Sequence, residues 1–128
     1  MSESPADDGV VASGIELVEV QEAERLLAAG GGGVFTEAEL AYARERVDPG
    51  RRLAARLAAK RAARRLLGGD AAEREVEVLR GASGPPSLRL SGAARERMRA
   101  LGASRTLVSL THERRHAAAL VVLLREGG

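Results

Sequence analysis

Apolar positions repeat every second residue at the start of the chain and then change to helical spacing. Residues 10–20, VVASGIELVEV, are rich in β-branched and apolar side chains and predict a strand. This strand places Ile15 and Leu17 on one face and Glu16 on the other. Residues 21–29 follow a helical pattern that stops at four consecutive glycines. The chain is therefore expected to begin with a strand, a helix and a flexible turn.

The strongest helix signal lies at residues 48–68, DPGRRLAARLAAKRAARRLLG. Asp48 can accept hydrogen bonds from the first amides, Pro49 fits the first helical position, and Gly68 suits the left-handed residue past the end. One predicted face carries small or apolar side chains, and the basic residues point elsewhere: Ala55, Ala58, Ala59, Ala62 and Leu66 form the first set, and Arg56, Lys60, Arg61, Arg64 and Arg65 the second. We expect the protein to use this basic side.

The remaining elements complete a mixed fold. Thr36 lies three residues before Glu39, which matches a capping box at the start of a helix over residues 37–46. The other predicted elements are two half-exposed strands at residues 75–78 and 87–90, a short helix capped by Ser91, and a buried hairpin with strands at residues 106–111 and 117–124. This order predicts a small single α+β domain over residues 10–126, with an antiparallel-rich sheet packed on the long helix, after a flexible polar leader at residues 1–9.

Composition excludes several classes of function. The 128 residues are 45% hydrophobic and 30% charged, which suits one globular domain. Aromatic residues make up only 2% of the chain, so platforms for stacking single-stranded nucleic acid are missing, and we do not expect a nucleic-acid partner. The absence of cysteine excludes disulfides and thiolate chemistry. The N-terminus lacks a basic segment followed by an apolar run, and no apolar stretch reaches about 18 residues, so we expect a cytoplasmic protein with no membrane partner.

Candidate chemistry outside the long helix is sparse. His112 and His116 are four residues apart, but the predicted turn between two strands does not direct both imidazoles at one metal ion. No phosphate-binding loop, dinucleotide fingerprint or zinc-protease motif occurs, and the four glycines follow a helix instead of leading into one. The basic run of the long helix stays open to three interpretations, namely a solvated face, a nucleic-acid patch or a site for polyphosphate.

Five short stretches add a more specific indication because of their order. They are GIELVEV at residues 14–20, FT with Glu39, RLAAKRA at residues 56–62 followed by Gly68, GPP at residues 84–86, and LVSLTHE at residues 107–113. Together they resemble the holo-acyl-carrier-protein synthase family of the 4'-phosphopantetheinyl transferase superfamily. That family has an opening GxD(I/L)VE strand, an FTxxE segment, a long-helix RFAAKEA motif, a G(K/R)P loop and a closing strand that ends in His-Glu. The resemblance covers nearly the whole predicted domain.

The resemblance implies a transferase that moves 4'-phosphopantetheine from coenzyme A to a serine of an apo acyl carrier protein, in fatty acid or polyketide biosynthesis. It implies a homotrimer that holds coenzyme A between neighbouring subunits, and a basic surface suited to an acidic carrier protein. A divalent cation, usually magnesium, would be bound by two carboxylates at the positions of Glu16 and Arg61. Residues that match the family pattern and are candidate coenzyme-binding residues are Arg56, Lys60, Gly68, Ser109 and His112.

The chain departs from the family at the metal site. Glu16 stands in place of aspartate, so it keeps the charge and is the candidate metal ligand. Arg61 stands in place of the second carboxylate and cannot ligate a cation, so we expect normal metal binding to fail. Arg65 replaces the family's lysine, and Arg61 and Arg65 become the candidate catalytic residues, with an anion expected between them. Further departures are Glu22 for arginine, Leu57 for phenylalanine and Pro85 for a basic residue.

Three hypotheses follow from these departures. In the first, the protein is an active phosphopantetheinyl transferase in which Arg61 and Arg65 hold the diphosphate of coenzyme A. In the second, it is a catalytically lost homologue that binds a carrier protein or coenzyme A, or pairs with an active paralogue. In the third, the site performs different chemistry on a carrier-bound or anionic substrate.

Overall fold

The computed structural model describes residues 9–80 and 84–125. Most of the predicted leader, part of the glycine-proline loop and the last residue of the predicted domain therefore lie outside the described residues. The elements in chain order are β1 (Val10–Glu19), α1 (Val20–Ala28), α2 (Glu37–Arg44), α3 (Pro49–Leu67), β2 (Val76–Arg80), β3 (Pro86–Leu90), α4 (Gly92–Ala100), β4 (Arg105–His112) and β5 (His116–Leu124). This order confirms the predicted α+β class.

Two antiparallel sheets contribute to the fold. The larger has the strand order β1-β5-β4, and the smaller pairs β2 with β3. The β4–β5 hairpin is confirmed, but the prediction that both of its strands are buried is wrong. Strand β4 lies at a sheet edge and alternates between exposed and partly buried residues, and Leu107 is 48% exposed. One face of this sheet packs on α3 while the other is open, which explains the alternation.

Helix α3 is the centre of the molecule. It contacts β1, β4 and β5 on one side and α1, α2 and β2 on others, so it is covered nearly all round. The predicted alanine face is confirmed, since its four alanines are at most 2% exposed. The predicted separate basic side is wrong for Arg56 and Lys60, which are 3% and 0% exposed. The spacing of residues along the helix could not predict this burial, because it depends on the elements that pack on each side of α3.

Of the predicted helix caps, that of α2 forms and that of α3 does not. The capping box of α2 is confirmed, because the Glu39 amide donates to the Thr36 hydroxyl at 3.2 Å and the Thr36 amide donates to the Glu39 carboxylate at 2.9 Å. Pro49 occupies the first turn of α3, but Asp48 does not cap that helix. Its carboxylate instead accepts a hydrogen bond from Nε of Arg52 at 3.1 Å.

The start of α4 is capped from another element. Ser91 makes no side-chain cap, contrary to the prediction. The carboxylate of Glu75, in a short turn before β2, accepts hydrogen bonds from the amides of Ala93 and Ala94 at 3.2 and 3.3 Å. A carboxylate is favourable there because the first amides of a helix are unpaired and carry partial positive charge. Tertiary contact thus provides the cap that the local sequence lacks.

Strand β2 is more buried than its alternating pattern predicted. Glu77, expected on an exposed face, is only 8% exposed. The Thr36 hydroxyl donates to its carboxylate at 2.6 Å, and Arg89 pairs with it at 2.5 Å. These partners hold the pKa of Glu77 below its ordinary value, with the Thr36 hydrogen bond as the larger cause. The sequence pattern of β2 predicts a half-exposed strand, but the folded chain covers both of its faces.

Candidate functional site

Two arginines one helical turn apart on α3 pair with two carboxylates from neighbouring elements. Arg61 donates from Nη1 and Nη2 to the two carboxylate oxygens of Glu22 on α1, at 3.2 and 2.5 Å. Arg65 pairs with Glu16 on β1 and also donates from Nη2 to the carbonyl oxygen of Ile15 at 2.8 Å. We call Glu16, Glu22, Arg61 and Arg65 the ion-pair cluster. The chain itself thus provides one carboxylate to each arginine, in place of the anion predicted between them.

The ion-pair cluster is electrostatically balanced and reachable from solvent. The hydrogen bond from Arg61 holds the pKa of Glu22 below its ordinary value, and the same bond raises the pKa of Arg61. The side chains of Arg61 and Glu22 are 34% and 35% exposed, and that of Arg65 is 57% exposed. Glu22 and Arg61 are therefore charged at neutral pH, and a dissolved anion can approach the two guanidinium groups.

A second cluster of positive charge lies at the N-terminal half of α3. A cavity of about 300 Å³ is lined by Arg52, Ala55, Arg56, Arg80, Leu110, Thr111 and His112. We call it the basic pocket. Nε of Arg56 and Nδ1 of His112 are both buried and have no hydrogen-bond partner among the described residues. Buried polar groups are normally paired, so these two atoms indicate where a ligand with acceptor oxygens would fit.

Arg56 is held at the basic pocket by groups that leave one nitrogen unpaired. Its guanidinium lies over the ring of Tyr42, 4.3 Å from the centroid, and Nη1 donates to the carbonyl oxygen of Arg52 at 3.3 Å. Burial lowers the pKa of Arg56, although Tyr42 and Glu39 oppose the shift. The stacking fixes the plane of the guanidinium, which favours recognition of a planar or tetrahedral anion.

Lys60 lies in the core. Its ammonium pairs with Glu39 at 2.7 Å, and both side chains are 0% exposed. It also donates to the carbonyl oxygens of Val76 and Glu73, at 2.6 and 3.1 Å. Burial lowers the pKa of Lys60, while the Glu39 carboxylate opposes that shift. Since its three donors are directed at groups of this chain, Lys60 joins α3 to the α2 and β2 segments in this structure.

Apart from His112, the other candidate residues from the sequence do not line the basic pocket. Gly68 follows α3 with a φ of 68° and a ψ of −168°, so it has the predicted positive φ but not the ψ of the left-handed helical conformation. Ser109 is exposed on β4 and lies opposite Leu120 of β5. His112 ends β4, and His116 begins β5, as the predicted turn required. Of the five candidate coenzyme-binding residues, Arg56 and His112 line the basic pocket.

The two sets of charged residues open on different sides of α3. Arg61 and Arg65 follow Arg56 by five and nine residues, which corresponds to rotations of about 140° and 180° around the helix axis. The contacts agree, because the basic pocket is formed with β4 and Arg80, whereas the ion-pair cluster is formed with α1 and β1. A single chain therefore does not present both sets to one small ligand.

Comparison with known proteins decides the family. The chain is 38% identical over 121 residues to a holo-acyl-carrier-protein synthase of Moorella thermoacetica, an alignment that covers 87% of this chain and 91% of the relative. The chain belongs to the holo-acyl-carrier-protein synthase family. No protein-family model matches it.

Solved structures of holo-acyl-carrier-protein synthases have the same fold. The enzyme from Neisseria meningitidis superposes with a TM-score of 0.77 at 26% identity, covering 89% of this chain and 98% of that chain. The Bacillus anthracis enzyme, solved in complex with CoA (3',5'-ADP), gives a TM-score of 0.74 at 24% identity, covering 92% and 99% of the two chains. In the described residues of the present chain, no helix combines the length and the apolar character needed to cross a bilayer.

The residues of this holo-acyl-carrier-protein synthase homologue do not fit the divalent cation that the family resemblance implies. Glu16, the one carboxylate at the predicted position, already pairs with Arg65. Arg61 brings a positive charge to the second position and pairs with Glu22. Within residues 9–80 and 84–125, no group of three or more His, Cys, Asp or Glu could hold a metal ion. We therefore assign no step of the chemistry to a metal.

Several residues of these sites were not found from the sequence. Arg80 lies at the end of β2 and reaches the basic pocket only through the fold. The sequence did indicate that Arg52 lies near Arg56, because it precedes Arg56 by four residues and so shares its helical face. Tyr42 and Glu39 become relevant only when α2 packs on α3.

Proposed function

We propose that this chain transfers 4'-phosphopantetheine from coenzyme A to a serine of an apo acyl carrier protein. Family membership supports this class of reaction. The observation that carries the proposal is the basic pocket, in which Arg56 and His112 present unpaired buried nitrogens beside Arg52 and Arg80. Coenzyme A is rich in phosphate, and guanidinium groups bind phosphate oxygens with paired hydrogen bonds. The cytoplasmic location remains a prediction from the sequence.

The two charged sites support an assembly in which one ligand lies between two copies of the chain. One copy would contribute Arg56 and His112, and its neighbour would contribute Arg61 and Arg65. Because these pairs open on different sides of α3 in one chain, a second copy can bring the missing pair to the same coenzyme molecule. This geometry is consistent with the homotrimer that the family resemblance implies.

An apolar surface is available for that assembly. The outer face of the larger sheet carries exposed apolar side chains that include Ile15, Leu17, Leu107 and Leu120, which are between 38% and 66% exposed. The register places Ile15 directly opposite Leu120, so the side chains are contiguous across the strands. An exposed apolar patch of this kind is typical of an interface, and we infer that copies of this chain associate through it.

In this proposal Arg61 and Arg65 stabilise the diphosphate during transfer. The serine hydroxyl of the carrier attacks the phosphorus that carries the pantetheine group, and the bond from that phosphorus to the bridging oxygen breaks. The leaving group is 3',5'-ADP, whose terminal phosphate takes up negative charge. Two guanidinium groups can stabilise that charge by hydrogen bonds that strengthen as it develops. The proton of the serine hydroxyl passes to water or to a nearby base.

A second candidate function is binding without transfer. The observation that favours it is that Glu16 and Glu22 already neutralise Arg65 and Arg61, while the metal ligands of the family pattern are replaced. Such a homologue would bind coenzyme A or a carrier protein, or pair with an active paralogue. The third hypothesis, different chemistry at this site, has no comparable support among the contacts described above.

Intact mass spectrometry of the carrier separates these functions. The purified chain is incubated with coenzyme A and an apo acyl carrier protein, with and without magnesium. Transfer predicts an increase in carrier mass equal to one phosphopantetheine group, and Arg56→Ala should reduce its rate strongly. The matched control is Arg99→Ala, because Arg99 is an exposed residue of α4 whose only described side-chain partner is Glu96. Calorimetric binding of coenzyme A without any mass increase would instead support the binding function.

A further inference from the structure

The carboxylates of the ion-pair cluster occupy the donors that a diphosphate would use. Glu22 accepts from both terminal nitrogens of Arg61, in the two-point geometry that a phosphate also adopts with a guanidinium group. Glu16 accepts from Nη1 of Arg65, and the remaining terminal nitrogen donates to a backbone carbonyl. An incoming diphosphate therefore has to displace these carboxylates to bind the same nitrogens in two-point geometry.

Displacement is physically feasible because the pairs are partly open to solvent. The Arg61 and Glu22 side chains are about one third exposed, and Arg65 is exposed by more than half. Ion pairs in such settings are weak, since water competes for both partners. The carboxylates also belong to different elements, with Glu22 on α1 and Glu16 on β1, so the two ion pairs share no side chain.

The ion-pair cluster also explains how the chain could bind a diphosphate without the cation that the family pattern implies. In a site that holds a cation, the metal spreads the charge of the diphosphate. Here the two arginines carry two positive charges on α3 at the positions where the family pattern has a carboxylate and a lysine. The carboxylates that balance them in the free protein come from the same chain. No external ion is needed in either state.

We propose that Glu16 and Glu22 are internal counter-ions that compete with a diphosphate for Arg65 and Arg61, so that the cluster binds its ligand by exchange of ion pairs and without a divalent cation. The identity of the ligand as a diphosphate rests on the proposed function. The exchange itself is a property of the four side chains. Glu16 and Glu22 are positioning residues in this proposal, because they act through the arginines.

Calorimetric titration with inorganic pyrophosphate, in EDTA and low salt, tests the exchange. All variants are made in an Arg56→Ala background, so that Arg56 of the basic pocket does not contribute to binding. Glu22→Gln and Glu16→Gln should each bind pyrophosphate about two- to fivefold more tightly, because a partly exposed ion pair no longer has to be broken. Adding Arg61→Gln should remove the gain of Glu22→Gln. Glu96→Gln on α4, which also loses an exposed arginine partner, should leave the affinity unchanged.

Electron paramagnetic resonance tests the claim that the cluster binds no divalent cation. Manganese(II) added to the full chain should give the electron paramagnetic resonance signal of the free aqueous ion. The proposal would be overturned if the chain bound manganese and Glu16→Gln removed that binding. It would also be overturned if the Gln variants bound pyrophosphate no more tightly than the parent. Thermal unfolding of each variant verifies folding, and Glu22→Asp, which shortens the arm, serves as a second variant if Glu22→Gln is unstable.

These outcomes separate the exchange from the proposed function. If pyrophosphate binding follows the predicted order while no carrier protein is modified, the exchange stands and the transfer proposal fails. If the carrier is modified but the Gln variants bind pyrophosphate as the parent does, the transfer proposal stands and the exchange fails.

Discussion

Arg61 and Glu22 form a two-point ion pair between α3 and α1, with nitrogen to oxygen distances of 3.2 and 2.5 Å. In the pattern of the holo-acyl-carrier-protein synthase family, the position of Arg61 has glutamate and that of Glu22 often has arginine. The two charges have thus been exchanged in this chain, and they face each other. The replacement at position 61 therefore contacts a second replacement on another element, which a motif comparison alone does not reveal.

The first prediction concerns restoration of a cation site. The triple variant Glu16→Asp, Glu22→Arg and Arg61→Glu restores the family's residues while keeping opposite charges at positions 22 and 61. It should bind manganese(II), measured by loss of the free-ion electron paramagnetic resonance signal, whereas the wild-type chain should not. The control is Glu16→Asp alone, which keeps Arg61 and should not bind. A triple variant that folds and gives only the free-ion signal would contradict our placement of the metal position.

The second prediction concerns the buried pair of Lys60 and Glu39. Lys60→Met leaves the Glu39 carboxylate buried without its cation, so the free energy of unfolding should fall by roughly 3 to 5 kcal/mol. Adding Glu39→Leu should recover part of the loss, because the unpaired buried carboxylate is then removed. Urea denaturation measures both. Arg99→Met, at an exposed position of α4, should change stability by no more than about 0.5 kcal/mol. A Lys60→Met effect as small as that would rule out the structural role.

The third prediction concerns the outer sheet face. Leu17 is 66% exposed in the single chain, so Leu17→Glu should not disturb the monomer fold. If copies associate through this face, the change buries an unpaired carboxylate at the interface and should shift the protein from oligomer to monomer. Light scattering after size-exclusion chromatography gives the mass. Arg95→Glu, on the exposed face of α4, is the control and should leave the mass unchanged. An oligomer that persists in Leu17→Glu would exclude this face as the interface.

The fourth prediction concerns sites shared between copies. Arg56→Ala and Arg61→Ala chains should each be inactive in carrier modification, because each damages one half of every shared site. After the two variants are mixed and allowed to exchange subunits, some interfaces combine an intact Arg56 with an intact Arg61, and activity should return. A chain that carries both substitutions, mixed with either single variant, forms no intact site of this kind. Mixing without any recovery would indicate that both residues act within one chain.

The fifth prediction concerns acid stability. The pKa of Glu77 is below its ordinary value because Thr36 donates to its carboxylate and Arg89 pairs with it. Between the lowered pKa and the ordinary value of about 4.3, the unfolded chain binds more protons than the folded chain, so stability rises with pH there. The contribution of Glu77 should be complete above that range and should disappear as the pH falls through the lowered pKa. Urea midpoints from pH 3 to 7 should therefore show a smaller acid-induced loss in Glu77→Gln than in the wild type.

Local signals in the sequence were sufficient for several parts of the fold. The capping box of Thr36 and Glu39 depends on residues three apart, and Pro49 and Gly68 mark the limits of α3 by their own backbone preferences. The family motifs likewise required only the order of residues along the chain. These features involve neighbours in sequence, and the interactions that determine them are short-range.

The candidate site could be predicted only in part. The sequence named Arg56 and His112 among five candidate coenzyme-binding residues without pairing them, and it placed Arg61 where the family pattern has a carboxylate. It did not show that Lys60 would be enclosed with Glu39, or that Arg80 would reach the basic pocket. It also placed Arg56 and Arg61 on one basic side of the helix, although in the structure they lie on different sides of α3. These properties depend on which elements pack around α3.

By itself, the sequence determined the class of fold, the extent of the central helix and the family, because periodicity, capping residues and motif order are properties of the linear chain. Tertiary structure decided which of the charges on that helix are buried, which are neutralised and which remain open to a ligand. The physical reason is that the state of a charged group depends on its surroundings. Glu22, Glu16 and Glu39 reach the basic residues of α3 from three other elements, and only the folded chain brings them there.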